Sequence, residues 1–304
     1  MQEPNWQIAR KRATLEARAR ILQQIRAFFI AADFLEIETP QRIPANAPEL
    51  HIEAIPSADW FLQTSPELCM KRLLAAGYER LFQICRCWRA GERGTRHLPE
   101  YSMLEWYRSN TDYQKLMNDC ELLLTSLKID RSLAWQGKDI DLTPPWPRLT
   151  VKQAFVQHSQ IGLDEALSTD QFETIMTEQI EPGLSSRQPT FLIDYPVEHA
   201  SLARRKPDDP TVAERFELYI AGLEIANGFS ELTDPEEQQK RFTAEEALRR
   251  KIGKRPYPCP EPFLKELAAL PPSAGIALGI DRLIMLLCDQ KSIDDVVSFT
   301  PEQL

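Results

Sequence analysis

The sequence predicts an α+β fold in which an antiparallel sheet is flanked by helices. Three observations lead there. Strand-like and helix-like segments do not alternate as βαβ units. Two segments, 82–107 and 216–231, each hold two extended runs joined by a polar or glycine-bearing connection, and they read as hairpins. An amphipathic helix over 7–32 precedes them. Ile8, Leu15, Leu22 and Phe29 recur every seven residues there, and Ile21, Ile25 and Phe28 widen the stripe.

The remaining elements follow in order. FLEIETP reads as a short strand closed by Pro40, and 51–57 and 60–64 alternate like paired strands. Pro66 opens a helix that Gly77 stops. The hairpin at 82–107 follows, and Asp112 caps a helix through Leu127. WQGKDIDLTPPWPRLTV predicts a small hairpin, followed by helices at 151–158 and 170–180 and a strand at 191–195. Beyond the second hairpin, helices are predicted at 234–252 and 261–269 and a strand at 273–279. Asp281 then caps a helix beginning with Arg282. There is no internal repeat and no linker-like tract, so one domain over 1–304 is expected.

The chain has 304 residues, 43% hydrophobic and 27% charged, which is ordinary globular composition with ample length for a core. A net charge of −9 argues against broad nucleic-acid binding, which needs a basic excess. The six cysteines form no CxxC pair. Cys85 and Cys87 point the same way on one strand, which suits packing better than zinc. Scattered cysteines and a polar N-terminus without a secretory pattern predict a reducing, cytoplasmic setting. No uncharged apolar run approaches the roughly 18 residues that cross a bilayer.

Chemistry concentrates in the two hairpins. On the second strand of the first, Tyr101, Met103, Glu105 and Tyr107 share one face beside a loop carrying Arg89, Arg93, Arg96 and His97. Arginine suits phosphate or carboxylate, and Glu105 suits an ammonium. In the second, a two-residue turn at Ala221-Gly222 places Tyr219 opposite Glu224 and Glu217 opposite Ala226. Glu217 and Glu224 then become diagonal neighbours that need a cation between them. Counting puts Asn227, Phe229 and Glu231 on the other face from Glu224. A bulge near Ala226–Gly228 is predicted to reunite them.

These hairpins, FELYIAGLEIANGFSEL and AGIALGIDRLIML resemble the second and third motifs of class II aminoacyl-tRNA synthetases, with the lysyl branch nearest. The opening helix, strand and proline resemble the first motif, which implies a homodimer. The resemblance runs from about residue 10 to residue 300 and implies ATP as cosubstrate and Mg²⁺ held by Glu217 and Glu224. It implies that Arg89 is catalytic, gripping the α-phosphate and the amino-acid carboxylate. His97 would contact the triphosphate, while Tyr101 and Arg282 would sandwich adenine, with Glu224, Ile225 and Gly279 also at the nucleotide. Ser65, Glu67, Glu105, Tyr107, Asn227, Phe229, Glu231 and Ala277 would form the amino-acid site, whose carboxylates suit lysine.

Three departures mark the chain within that family. It begins at the helix before the first motif, so no anticodon-binding domain and no tRNA partner are expected. Ala277 stands where full synthetases carry glycine. Both features resemble a truncated branch, the elongation factor P lysyltransferases, which implies lysine or (R)-β-lysine as substrate and elongation factor P as acceptor. Third, Gly91 and Leu98 replace the expected Glu and Asn, with Glu92 as a possible substitute. The motifs also fit a free-standing lysyl-tRNA synthetase core, an asparagine synthetase-like enzyme, or a non-catalytic binding module. All readings require the three segments to converge on one nucleotide cavity.

Overall fold

The computed structural model describes residues 6–304 except 129, 186 and 201. Two compact units emerge. Unit 1 holds residues up to Tyr107 together with Asp234–Leu270 and Leu278–Leu304, and unit 2 holds Arg108–Thr233 with Pro271–Ala277.

Unit 1 begins with α1 (Trp6–Ala9) and α2 (Arg12–Ala31). The predicted continuous helix is therefore split at Arg10-Lys11. Lys11 turns inward at that point, and its Nζ donates to Val297 O (3.1 Å) and Gln303 Oε1 (3.3 Å). Next come β1 (Leu35–Glu36), β2 (Arg42–Ile43), β3 (Pro56–Ser57), β4 (Trp60–Leu62), α3 (Glu67–Ala75), β5 (Arg80–Trp88) and β6 (Glu100–Ser109). The order β1–β5–β6 forms the unit's main sheet portion, with β1 parallel to β5, and β2–β4–β3 forms a small separate sheet. Phe29 of α2 anchors the core. Its ring lies 4.9 Å from Phe82, 5.1 Å from Trp106 and 5.1 Å from Phe34, which fixes the helix against β5 and β6.

Unit 2 continues with α4 (Tyr113–Leu127), β7 (Ser132–Trp135), β8 (Lys138–Asp141), β9 (Arg148–Thr150), α5 (Val151–His158), α6 (Leu163–Ser168) and α7 (Phe172–Ile175). A π-helical turn, Met176–Ile180, leads into α8 (Glu181–Gly183), then β10 (Thr190–Pro196), β11 (Arg205–Lys206), β12 (Asp209–Ile220) and β13 (Leu223–Ser230). Asp112 caps α4 as predicted, accepting from the amides of Gln114 and Lys115. The chain returns to unit 1 with α9 (Pro235–Lys251) and α10 (Glu261–Leu267), crosses both units in β14 (Ser273–Gly279) and ends on α11 (Ile280–Leu287).

Within unit 2 the strand order is β14–β13–β12–β10–β9, with β11 on β12. The antiparallel expectation holds for β10–β12, β11–β12 and β12–β13. It fails for β9–β10, which are parallel because helices α5–α8 carry the chain back between them. Those helices pack Phe155, Phe172, Ile175 and Ile180 beneath Leu192, Tyr195 and Tyr219. Among the described residues no helix is long and apolar enough to cross a membrane.

Candidate active site

Unit 1 gathers an acidic cluster where α3 meets β6. The Ser65 hydroxyl accepts from the Glu67 amide (3.0 Å) and donates to Glu105 Oε1 (2.6 Å). Tyr107 donates to Glu105 Oε2 at 2.8 Å. The period-two face read from the sequence is thus real, and its carboxylate is buried, only 1% exposed. Burial, reinforced by the nearby Glu67 charge, pushes the Glu105 carboxyl up to about 8; Ser65, Tyr107 and Lys71 oppose that rise. Lys71, which sequence reasoning missed, donates to Glu67 Oε1 at 2.5 Å from one turn further along α3. Its signal was available, since Glu67 and Lys71 stand four apart at a helix start.

Arg89 leaves the end of β5 with its guanidinium 5.3 Å from the centre of the Tyr101 ring, and its Nη1 lies 3.6 Å from Glu92 Oε1. The Tyr101 hydroxyl donates to the Thr64 carbonyl at 3.1 Å. In this state, then, Arg89 faces the ring expected to stack adenine. Gly91 has φ +78°, a left-handed turn with open space where a Cβ would stand. The glycine that displaces the expected glutamate therefore serves the backbone, and the neighbouring Glu92 carboxylate faces Arg89. Leu98 is buried at 3% exposure, so its side chain belongs to the interior of the loop.

Arg282 stands in the first turn of α11. Its Nε donates to the Arg96 carbonyl (3.3 Å), and its Nη2 contacts His97 Nε2, which accepts when the ring proton sits on Nδ1. Gly279 precedes it, leaving ordinary van der Waals room against the Arg282 stem.

The predicted cap at Asp281 is corrected. Gly279 is the N-cap and carries no side-chain cap bond. Asp281, 2% exposed, instead accepts from Arg18 Nη1 (2.6 Å) and the Ser102 amide (2.8 Å). Arg18 also donates to Ser102 Oγ (2.8 Å) and Val296 O (3.2 Å). One carboxylate thereby ties α2, β6 and α11 together.

Unit 2 presents the second carboxylate pair on the β12–β13 hairpin. Ala221 and Gly222 have φ +51° and +76°, the type I′ turn that fits strand twist. Tyr219 pairs with Glu224 as expected, but Leu218 pairs with Ala226 and Glu217 with Asn227, leaving Ile225 as an extra residue. The bulge thus falls at Ile225, near Ala226–Gly228 as predicted, while pairing through Gly228 itself is regular. It has the predicted effect, since Glu224 and Asn227 now oppose residues of the same β12 face. Gly228 has another duty: a Cβ there would stand 2.7 Å from the Phe216 ring.

Glu217 is more enclosed than the sequence suggested. Its Oε2 accepts from Tyr195 and Tyr219, each at 2.6 Å, and its Oε1 from Arg215 at 2.5 Å. Burial pushes its carboxyl upward, Arg215 opposes this, and Glu224 adds to it. Arg215 also donates to Asn227 Oδ1 (3.2 Å) and the His199 carbonyl, and stacks 4.4 Å over Tyr195. The cation that the glutamate pair demands is thus partly supplied by Arg215, legible as the alternation Arg215, Glu217, Tyr219 but unread. Ile225 is buried. Phe229 packs on Ala200, Ala203 and Ala213, and the Glu231 amide donates to the Ser273 carbonyl (2.8 Å). Ala277 is half-buried on β14. Among the described residues no three His, Cys, Asp or Glu side chains form a metal cluster.

The family model described as tRNA synthetases class II (D, K and N) matches residues 6–303. A lysine–tRNA ligase of Pelotomaculum thermopropionicum is 38% identical over 93% of the chain, which spans 62% of that relative. The elongation factor P–(R)-β-lysine ligases of Vibrio atlanticus and Salmonella gallinarum are each 38% identical, over 97% and 98% of the chain and the same shares of their own lengths.

Proposed function

The chain belongs to the class II tRNA synthetases of the D, K and N group, and from that premise we propose that it is an ATP-dependent ligase that activates lysine or (R)-β-lysine and transfers it to a lysine side chain of elongation factor P. One observation carries the chemistry: β5 runs directly into the guanidinium of Arg89, and its neighbour β6 bears a buried acid at Glu105, flanked by Glu67. That combination suits a molecule with a carboxylate at one end and an amine at the other. The relatives matched over nearly their whole length bear the elongation factor P name, which supports that acceptor.

The substrate carboxylate attacks the α-phosphorus of ATP, giving an acyl-adenylate and pyrophosphate. The acceptor amine then attacks the acyl carbon, and AMP leaves. No nucleophilic side chain is needed; alignment and charge stabilisation supply the rate. Arg89 exchanges its Glu92 contact for the α-phosphate and carboxylate. His97 meets the triphosphate, and Tyr101 and Arg282 hold adenine. Ser65, Glu67, Glu105 and Tyr107 receive the amine, and Asn227, Phe229, Glu231 and Ala277 contribute to amino-acid recognition. Glu217 and Glu224 fit Mg²⁺ in a limited sense. Glu217 has three donors already, so the pair offers few oxygens, as suits an ion that takes one or two carboxylates plus phosphates. When bound, Mg²⁺ supplies charge neutralisation at the phosphates. We assign a homodimer on the strength of the first motif.

Pyrophosphate exchange with lysine and β-lysine tests activation. Arg89→Ala is expected to abolish it, and near-normal exchange would refute the role. Labelled amino acid offered to elongation factor P and tRNA in parallel tests the acceptor, and label on tRNA alone would overturn the transfer reading.

A further inference from the structure

Arg249, near the end of α9, is a buried charge of unit 1 that the proposed chemistry leaves unused. Its side chain is 0% exposed, and a charged group is almost never so enclosed unless it is paired. Segment 44–55 of the same unit forms no helix or strand, so its backbone groups find their partners outside regular structure. Arg249 supplies several of them. Its Nη1 donates to the carbonyls of Glu49 (2.7 Å) and Ile52 (2.6 Å), and its Nη2 to Glu53 Oε2 (3.1 Å) and the Arg255 carbonyl (3.2 Å). Its Nε lies 3.7 Å from Glu246 Oε2. The guanidinium stacks 4.0 Å over the Tyr257 ring, whose hydroxyl accepts from the Ala54 amide (2.7 Å) and donates to Ile52 O (3.4 Å). Glu53 is thus held by its own carboxylate and by the residue on each side. Its carbonyl in turn accepts from the Ala90 amide at 2.7 Å, while the Arg89 amide donates to Pro99 O at 2.9 Å.

We propose that Arg249 and Tyr257 are positioning residues for Arg89, acting through Glu53: they fix the carbonyl that holds the Ala90 amide and so set the direction in which the chain leaves β5. This rests on the role given to Arg89 above. The Arg89–Ala90 peptide is planar, so an anchored Ala90 N–H fixes the carbonyl end of Arg89, as Pro99 fixes its amide end. The guanidinium then starts from one place on its way to a phosphate, and small misplacements of such a group are costly in rate. Arginine suits the task because one planar fork reaches several carbonyls at once; a lysine ammonium, with three donors on a flexible stem, does not. A buried ion pair adds little net stability, so what this one supplies is geometry.

Pyrophosphate exchange by the full chain, run with lysine and (R)-β-lysine well below the melting midpoint, tests this. Arg249→Met is expected to lower kcat by about tenfold or more, and Tyr257→Phe by about threefold. The KM for the amino acid should stay within about twofold of wild type, because the amine subsite at Ser65, Glu67 and Glu105 is untouched. Ile140→Val, at a buried position of β8 outside the site, is the control; it is expected to lower the melting midpoint and leave kcat unchanged. A purely structural role for Arg249 and Tyr257 would give that same pattern. Should Arg249→Met fail to fold, Tyr257→Phe, which keeps the ring beneath the guanidinium, decides by itself. The inference is overturned if the folded variants keep kcat within about twofold of wild type, or if Ile140→Val lowers kcat as far as Tyr257→Phe does. No exchange by the wild type with either amino acid would remove the functional reading and this inference with it; wild-type exchange indifferent to Arg249 and Tyr257 would remove this inference alone.

Discussion

Asp281→Ala separates two roles for one residue by magnitude. A helix cap is worth about 1 kcal/mol. The bridge seen here is worth more. Its loss strands the Ser102 amide, at about 1–3 kcal/mol, and breaks a buried ion pair, at about 3–5 kcal/mol when the surviving charge has no other partner. Arg18 keeps Val296 O and Ser102 Oγ, so the sum is reduced to about 3–5 kcal/mol. At roughly 2 °C per kcal/mol for a chain of this length, the midpoint falls by about 6–10 °C, against about 2 °C for a lost cap. Thermal unfolding followed by circular dichroism reads the difference, with Arg18→Met and the double variant closing a cycle. The double variant is expected to be little worse than the worse single one. A fall under 3 °C with additive singles would refute the bridge.

Two further outcomes follow from the geometry. Gly228→Ala forces a methyl against the Phe216 ring and is expected to cost about 1–3 kcal/mol through overpacking, whereas Gly91→Ala meets only backbone strain of about 1 kcal/mol; comparing their melting midpoints checks the order. The Glu105 carboxyl, raised from 4.5 to about 8, contributes stability that is fully present below pH 4.5 and lost as pH rises through about 8. Melting midpoints of the wild type should therefore decline across that window, by on the order of a few kcal/mol in stability, and Glu105→Gln should flatten the slope; parallel slopes would contradict it.

Much of this was legible in sequence because it rests on short-range rules. Period two predicted the Tyr101–Glu105–Tyr107 face, positive-φ turn chemistry predicted Ala221-Gly222, and the aspartate cap on α4 is local. What escaped depends on partners far along the chain. Asp281 reads as a cap until Arg18, 263 residues away, is seen to claim it. Helices α5–α8 read as isolated stretches, and the parallel pairing they impose on β9 and β10 appears only in three dimensions. The bulge was called for by the need to share a face, but its placement at Ile225 was not legible, because Gly228 drew attention while answering to Phe216.

The unpaired Ile225 works as a phase shift written into β13. Residues between the turn and Glu224 keep one parity, and residues from Ala226 onward keep the opposite one, so the two stretches can vary in composition without dragging each other across the sheet. It also makes the ribbon sensitive to how the extra residue is accommodated: pairing Ile225 into a regular ladder would send Glu224 and Asn227 to opposite sides, whereas deleting Ile225 would leave them two apart and on one side.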